Sequence, residues 1–187
     1  MYGDPAKADA LKNTHILTVY GDYIAQDSRW PGMRNTQMAL NERYRHHYLE
    51  HQDDLSLFDG ILDLLGELRQ RQHFLAVATG KSRAGLNHVL ERVELHDLFH
   101  ATRTADETAG KPNPLMLHEL MAELDVRPDR TLMIGDTTHD LEMAHHAGCA
   151  SIGVSYGAHE PDAFSRWKPL TIAHSVTELR KWLMQHG

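Results

Sequence analysis

The 187-residue sequence has a single cysteine, no long apolar run and no excess of positive charge. The lone Cys149 cannot form a disulfide within the chain, which fits the reducing environment of the cytoplasm. No apolar segment approaches the roughly 18 to 20 residues that cross a bilayer, and no secretory signal pattern is present at the N-terminus. We therefore expect a cytoplasmic protein without a membrane partner.

The charge balance argues against nucleic acid as a partner. The formal net charge is −7 and the pI is about 6.1, so the chain is not attracted to polyphosphate backbones. With 41% hydrophobic and 24% charged residues, the composition is that of a soluble globular domain. The sequence leaves open whether the chain forms a homo-oligomer.

Short apolar runs alternate with segments of helical periodicity along most of the chain. Strands are predicted at 15–20, 74–78, 98–101, 132–134, 150–155 and 170–173. Helices are predicted at about 35–51 and 61–72, and after Ser82, Asn113, Asp136 and Ser175, with Gly148 at a helix C-terminus and Ser175 and Glu178 as a capping box. This alternation predicts an α/β fold with a Rossmann-like parallel sheet and helices on both of its faces.

Two acids follow the short buried strand at 132–134. Gly135 ends that strand, and Asp136 and Asp140 come directly after it, where open α/β sheets place their ligands. Hard carboxylate oxygens suit magnesium, which takes one or two carboxylates together with a substrate phosphate. The alternative interpretation is that Asp136 only caps the next helix.

Two further loops are predicted to open at the same edge of the sheet. They carry the segments Thr79-Gly80-Lys81 and Gly110-Lys111-Pro112, which supply a hydroxyl and an ammonium group. Backbone N–H groups at the helix starts near Ser82 and Asn113 complete a set of donors suited to phosphate. Each feature alone is weak, because such residues are common in turns and on surfaces.

In combination, the ordered set Thr79…Lys111-Pro112-Asn113-Pro114…Gly135-Asp136…Asp140 resembles three motifs of the haloacid dehalogenase superfamily, in its phosphoglycolate-phosphatase-like branch. The resemblance implies a magnesium-dependent hydrolase acting on a small phosphate monoester such as phosphoglycolate. It implies that Thr79 and Gly80 bind the transferring phosphoryl group and that Lys111 neutralises its charge. It further implies that Asp136 binds magnesium, and that Asp140 either supports the magnesium site or binds Lys111.

The sequence departs from that family at its first motif, Asp-x-Asp-Gly-Thr, which is absent. The nearest counterpart places Tyr20 at the nucleophile and Asp22 at the second aspartate, which implies an acid/base and metal-binding role for Asp22. A phenol with an ordinary pKa near 10 is a poor nucleophile, so we expect impaired turnover.

The alternatives are a catalytically inactive binding or regulatory protein and an oligomer-forming scaffold. The central strand is supplied by residues 15–20, by sequence missing from a truncated chain, or by a partner through swapping.

The resemblance also divides the chain. Residues 1–13 are expected to be a flexible N-terminus, 14–28 the first core strand with the degenerate motif, 29–56 a reduced helical remnant of the family's cap, and 57–187 the core. His47 and His51 share a helical face that can bind zinc, but no motif places a third ligand, which favours a solvated surface. Residues 156–161 either contact substrate or cation or, in the favoured interpretation, only cross the edge of the sheet.

Overall fold

A computed structural model describes residues 17–20, 25–27, 55–157 and 161–187. The N-terminal segment 1–13, the helix predicted at about 35–51, Asp22, and the His47 and His51 pair lie outside the described residues. The strands are β1 (Leu17–Tyr20), β2 (Ala25–Asp27), β3 (Leu55–Leu57), β4 (Phe74–Thr79), β5 (Ala101–Thr104), β6 (Thr131–Gly135), β7 (Ala150–Val154) and β8 (Ile172–Ala173). The α-helices are α1 (Ile61–Gln70), α2 (Arg83–Arg92), α3 (Leu115–Glu123), α4 (Thr138–His146) and α5 (Val176–His186). Short 3₁₀ helices occur at Pro128–Arg130 and Pro161–Trp167.

Six strands form one parallel sheet in the order β5-β4-β1-β6-β7-β8. Strand β1 lies near its centre, where Tyr20 pairs with Val77 of β4 and Ile134 of β6. The strand predicted at 15–20 is therefore confirmed for its described part, and this chain's own residues fill the place between β4 and β6. Strands β2 and β3 form a separate antiparallel pair, so the boundary drawn between residues 56 and 57 falls inside β3.

Helices cover both faces of the sheet, as predicted. Apolar side chains of α1, α2 and α5 pack with the sheet in one cluster, and those of α3 and α4 pack in a second. Because both faces are covered, β6 is buried at every position and the middle of β4 is equally inaccessible. Across the described residues, no helix is long and apolar enough to cross a membrane.

The strand predicted at 98–101 is wrong in its position. Strand β5 begins only at Ala101, while Leu98 and Phe99 pack against the core from the turn that precedes it. Strand β5 lies at the edge of the sheet and includes Arg103, so its composition is polar. The apolar pattern therefore identified the partly buried residues before the strand rather than the strand itself.

The helix ends follow the predicted capping chemistry with two differences. Ser82 accepts a backbone hydrogen bond at the start of α2, and Gly148 adopts a left-handed conformation (φ +74°) after α4. Ser175 caps α5, but the carboxylate of Glu178 accepts from the N–H of His174 instead of that of Ser175. The second difference is at α3, which starts at Leu115 rather than at Pro114.

Candidate functional site

The three predicted loops emerge at the carboxyl edge of the sheet. Thr79 is the last residue of β4, and Asp136 follows the last residue of β6. Only β1 separates these two strands, so their ends lie two strand spacings apart, roughly 10 Å. That gap is of a size that a phosphate and its counter-ion can bridge.

Lys111 reaches this edge through an ion pair with Asp140. The Lys111 Nζ atom lies 2.7 Å from Asp140 Oδ1, and the two side chains are 9% and 0% exposed. The other carboxylate oxygen accepts from the backbone N–H of Thr137 (3.1 Å) and from its hydroxyl (2.7 Å). Of the two roles left open for Asp140, the structure shows the contact with Lys111, and both of its oxygens have partners within the protein.

Asp136 does not cap the helix that follows it, so that alternative interpretation is wrong. The cap of α4 is Thr137, whose hydroxyl oxygen accepts from the backbone N–H of Asp140. Asp136 is buried, with 5% of its surface exposed, and the backbone of Gly157 lies against it. A Cβ atom at Gly157 would stand 2.1 Å from Asp136 Cβ, and one at Gly135 would stand 2.2 Å from Asp140 Cβ. Only glycine fits at either position.

The donor chemistry around Asp136 fits magnesium. Its carboxylate is a hard oxygen ligand in a buried cradle that a side chain at position 157 would fill. In the described ranges, no three His, Cys, Asp or Glu side chains are grouped to hold a metal ion. Magnesium takes one or two carboxylates and completes its coordination with water and substrate. The second predicted carboxylate, Asp22, lies outside the described residues.

Thr79 is buried at the end of β4, and its hydroxyl oxygen accepts from the backbone N–H of Lys81 at 3.0 Å. This bond turns the chain at Gly80, which is exposed at the rim. The chain therefore bends directly after the last residue of the strand, and phosphate binding by Thr79 and Gly80 stays a prediction.

Two backbone N–H groups at the start of α2 already have partners within the protein. The N–H of Arg83 donates to the carboxylate of Asp106 at 2.9 Å, and that of Gly85 donates to Ser82. The Arg83 guanidinium also hydrogen-bonds Glu107, which lowers the pKa of that carboxyl to about 2. The N–H groups of Arg83 and Gly85 are therefore bonded within the protein, and phosphate binding by the rest of this helix start stays a prediction.

Residues 156 and 157 contribute more to the site than the favoured interpretation allowed. The Tyr156 ring packs edge-on against Phe58 with centroids 5.0 Å apart. Burial, and then the charge of Asp136, raise the pKa of Tyr156 above its ordinary value. Residues 156 and 157 therefore lie against the predicted metal ligand. The only sequence signal was a glycine placed shortly after the end of a strand at the rim.

Comparison with known proteins gives consistent matches. The family described as "Haloacid dehalogenase-like hydrolase" matches residues 8–154. "Probable phosphatase IndB" of Dickeya dadantii is 38% identical and "Phosphoglycolate phosphatase" of Vibrio vulnificus is 32% identical, each over 124 residues that cover 66% of this chain and 54% of the relative. A haloacid dehalogenase-like family hydrolase from Streptococcus pneumoniae shares the fold with a TM-score of 0.73 at 16% identity, covering 90% of this chain and 98% of that chain. The chain thus spans about half the length of the curated relatives it matches.

Proposed function

The chain belongs to the haloacid dehalogenase-like hydrolase family, as its motifs indicated, and on that premise we propose that it is a magnesium-dependent phosphatase acting on a small phosphate monoester. The observation that carries the proposal is the buried ion pair of Lys111 with Asp140, which lies four residues after the buried Asp136. Relatives named as phosphatases support the reaction, and those named as phosphoglycolate phosphatases suggest a substrate of that kind.

The proposed site acts by holding a phosphoryl group among fixed charges. The ammonium of Lys111, kept in place by Asp140, offsets negative charge on the phosphoryl oxygens, and the hydroxyl of Thr79 donates to one of them. Magnesium held by Asp136, with Asp22 as a second carboxylate, would supply further charge neutralisation. Because Asp136 and Asp140 are buried, these interactions are stronger than they would be in water.

A second candidate function is binding without turnover, and Tyr20 favours it. Tyr20 is the last residue of β1, between Val77 and Ile134, where the family's first motif would begin with a carboxylate. A tyrosine there removes the nucleophile but leaves Thr79 and Lys111 in place. Such a protein would bind phosphate and magnesium as a sensor or regulator.

Hydrolysis of phosphoglycolate and of a generic aryl phosphate by the full chain with magnesium tests the two candidates. We expect slow or absent turnover, with any activity lost in Lys111→Met and Asp136→Asn and retained in Lys181→Met, an exposed lysine of α5. Magnesium-dependent binding of inorganic phosphate without turnover would establish the binding alternative. If the chain shows no turnover and also binds no phosphate, both candidate functions are refuted.

The same assay tests the position of the nucleophile. Fast hydrolysis that is abolished by Asp22→Asn but unaffected by Tyr20→Phe would show that Tyr20 does not occupy the nucleophile position. Loss of activity in Asp22→Asn also fits the acid/base and metal-binding roles given to Asp22, so the Tyr20→Phe result decides the question.

A further inference from the structure

Gly157 approaches the carboxylate of Asp136 more closely than any other residue type permits. A Cβ atom at position 157 would lie 2.4 Å from Asp136 Oδ2 and 2.6 Å from its Cγ. These distances are far inside van der Waals contact, so the backbone of residue 157 closes one side of the carboxylate. The carboxylate cannot rotate toward that side while Gly157 stays in place.

The turn that carries Gly157 is anchored on the neighbouring strand. The N–H of Ser155 donates to the carbonyl of Ala173 at 3.0 Å, which extends the pairing of β7 with β8 by one residue. The hydroxyl oxygen of Ser155 also lies 2.7 Å from Nδ1 of His174. His174 is itself fixed, because its N–H donates to Glu178 in the first turn of α5 at 2.8 Å.

A continuous set of contacts therefore leads from the start of α5 to Asp136. It passes from His174 to Ser155 and along two residues of chain to Gly157, which meets the carboxylate directly. Mutation of a residue that orients a metal ligand typically lowers metal affinity or activity by about 10- to 100-fold.

We propose that the turn Ser155–Gly157, fastened by the Ser155–His174 hydrogen bond, is a wall of the divalent-cation site that holds Asp136 in its metal-binding orientation. Gly157 and His174 are positioning residues, and neither touches the substrate. This inference rests on the proposed function, since it takes Asp136 as the ligand of a magnesium-type cation.

Calorimetric titration of the full chain with Mg²⁺ alone measures Mg²⁺ affinity and tests the proposal without any enzymatic assay. Gly157→Ala weakens Mg²⁺ binding by about tenfold or more, as does loss of a residue that orients a metal ligand. The matched control is Gly66→Ala in α1, where an added Cβ meets nothing within 4 Å; its affinity stays within about twofold of the unsubstituted chain.

His174 provides a second test that does not depend on how well Gly157→Ala folds. His174 is exposed, so His174→Ala leaves the core intact and weakens Mg²⁺ binding in the same direction. In His174→Asn the amide oxygen can accept from Ser155, and affinity returns toward that of the unsubstituted chain. Thermal unfolding without Mg²⁺ confirms that each variant is folded.

Asp136→Asn separates the failure of this inference from the failure of the proposed function. If Asp136→Asn abolishes Mg²⁺ binding while folded Gly157→Ala and His174→Ala bind normally, the wall is refuted and the cation site stands. If Asp136→Asn itself binds Mg²⁺ normally, the cation site is refuted and the wall with it. Equal losses in His174→Ala and His174→Asn would also refute the hydrogen bond as the fastening.

Discussion

Replacing Asp140 with asparagine removes one charge from a buried ion pair at almost no change in size. The Lys111 Nζ atom lies 2.7 Å from Asp140 Oδ1, with 9% and 0% of the two side chains exposed. An amide at position 140 either turns its NH₂ group toward the ammonium or turns it toward the N–H and hydroxyl of Thr137. In both orientations at least one donor faces another donor.

Breaking a buried pair by removing one partner costs about 3 to 5 kcal/mol of unfolding free energy. For a domain of this size, roughly 2 to 4 °C is lost for each kcal/mol, so Asp140→Asn lowers Tm by roughly 6 to 20 °C. Removing both charges in Lys111→Met/Asp140→Asn leaves no uncompensated buried charge. The double variant is therefore more stable than the sum of the single losses predicts, by roughly 0.5 to 3 kcal/mol.

Urea unfolding at pH 7, monitored by tryptophan fluorescence, gives the free energy of unfolding of all four chains of this double-mutant cycle. Trp167 and Trp182 are partly buried and report on the fold. A loss below about 1 kcal/mol for Asp140→Asn, typical of a surface pair, would refute the reasoning. Strict additivity in the cycle would refute it as well, because the two side chains would then not interact.

Three further predictions concern single positions. Gly135→Ala places a Cβ 2.2 Å from that of Asp140, so we expect a loss of about 1 to 3 kcal/mol in urea unfolding; an unchanged stability would contradict the close approach. Burial holds the pKa of His100 below its ordinary 6.5, and its Nδ1 accepts from the N–H of Leu75 at 3.1 Å. The stability contribution of a neutral His100 is therefore present above pH 6.5 and is lost as the pH falls through the lower folded-state pKa. The free energy of unfolding should then decline more between pH 7.5 and 5 in the natural chain than in His100→Asn. Parallel pH profiles of the two chains would contradict this. Cys149 is buried with 5% exposure, so a thiol reagent modifies it only after unfolding, and fast labelling of the native chain would contradict its position in the core.

The parts of the fold that the sequence predicts well are those buried on both faces. The runs that form β4 and β6 are continuous and apolar because helices cover both sides of the sheet, so composition alone indicates strands. Strand β5 has no such signal, since it lies at the edge and carries Arg103. The apolar residues nearest to it, including the partly buried Leu98, belong to the turn that precedes the strand.

The candidate site divides in the same way. The placement of Thr79 and Asp136 at the same edge of the sheet could be predicted, because parallel strands end at one edge. Two contacts could not be predicted from the sequence: the hydrogen bond of Asp106 to the start of α2, and the contact of Gly157 with Asp136. Both depend on how loops from different strands pack together, which local periodicity does not encode.

The most direct test of the account is the binding of inorganic phosphate, measured by calorimetry with and without Mg²⁺. If Thr79, Lys111 and Asp136 form one site, the natural chain binds phosphate more tightly in the presence of Mg²⁺. Thr79→Val and Lys111→Met then weaken phosphate binding, and Asp136→Asn removes the effect of Mg²⁺. Phosphate affinity that is the same in all four chains, with or without Mg²⁺, would contradict the account.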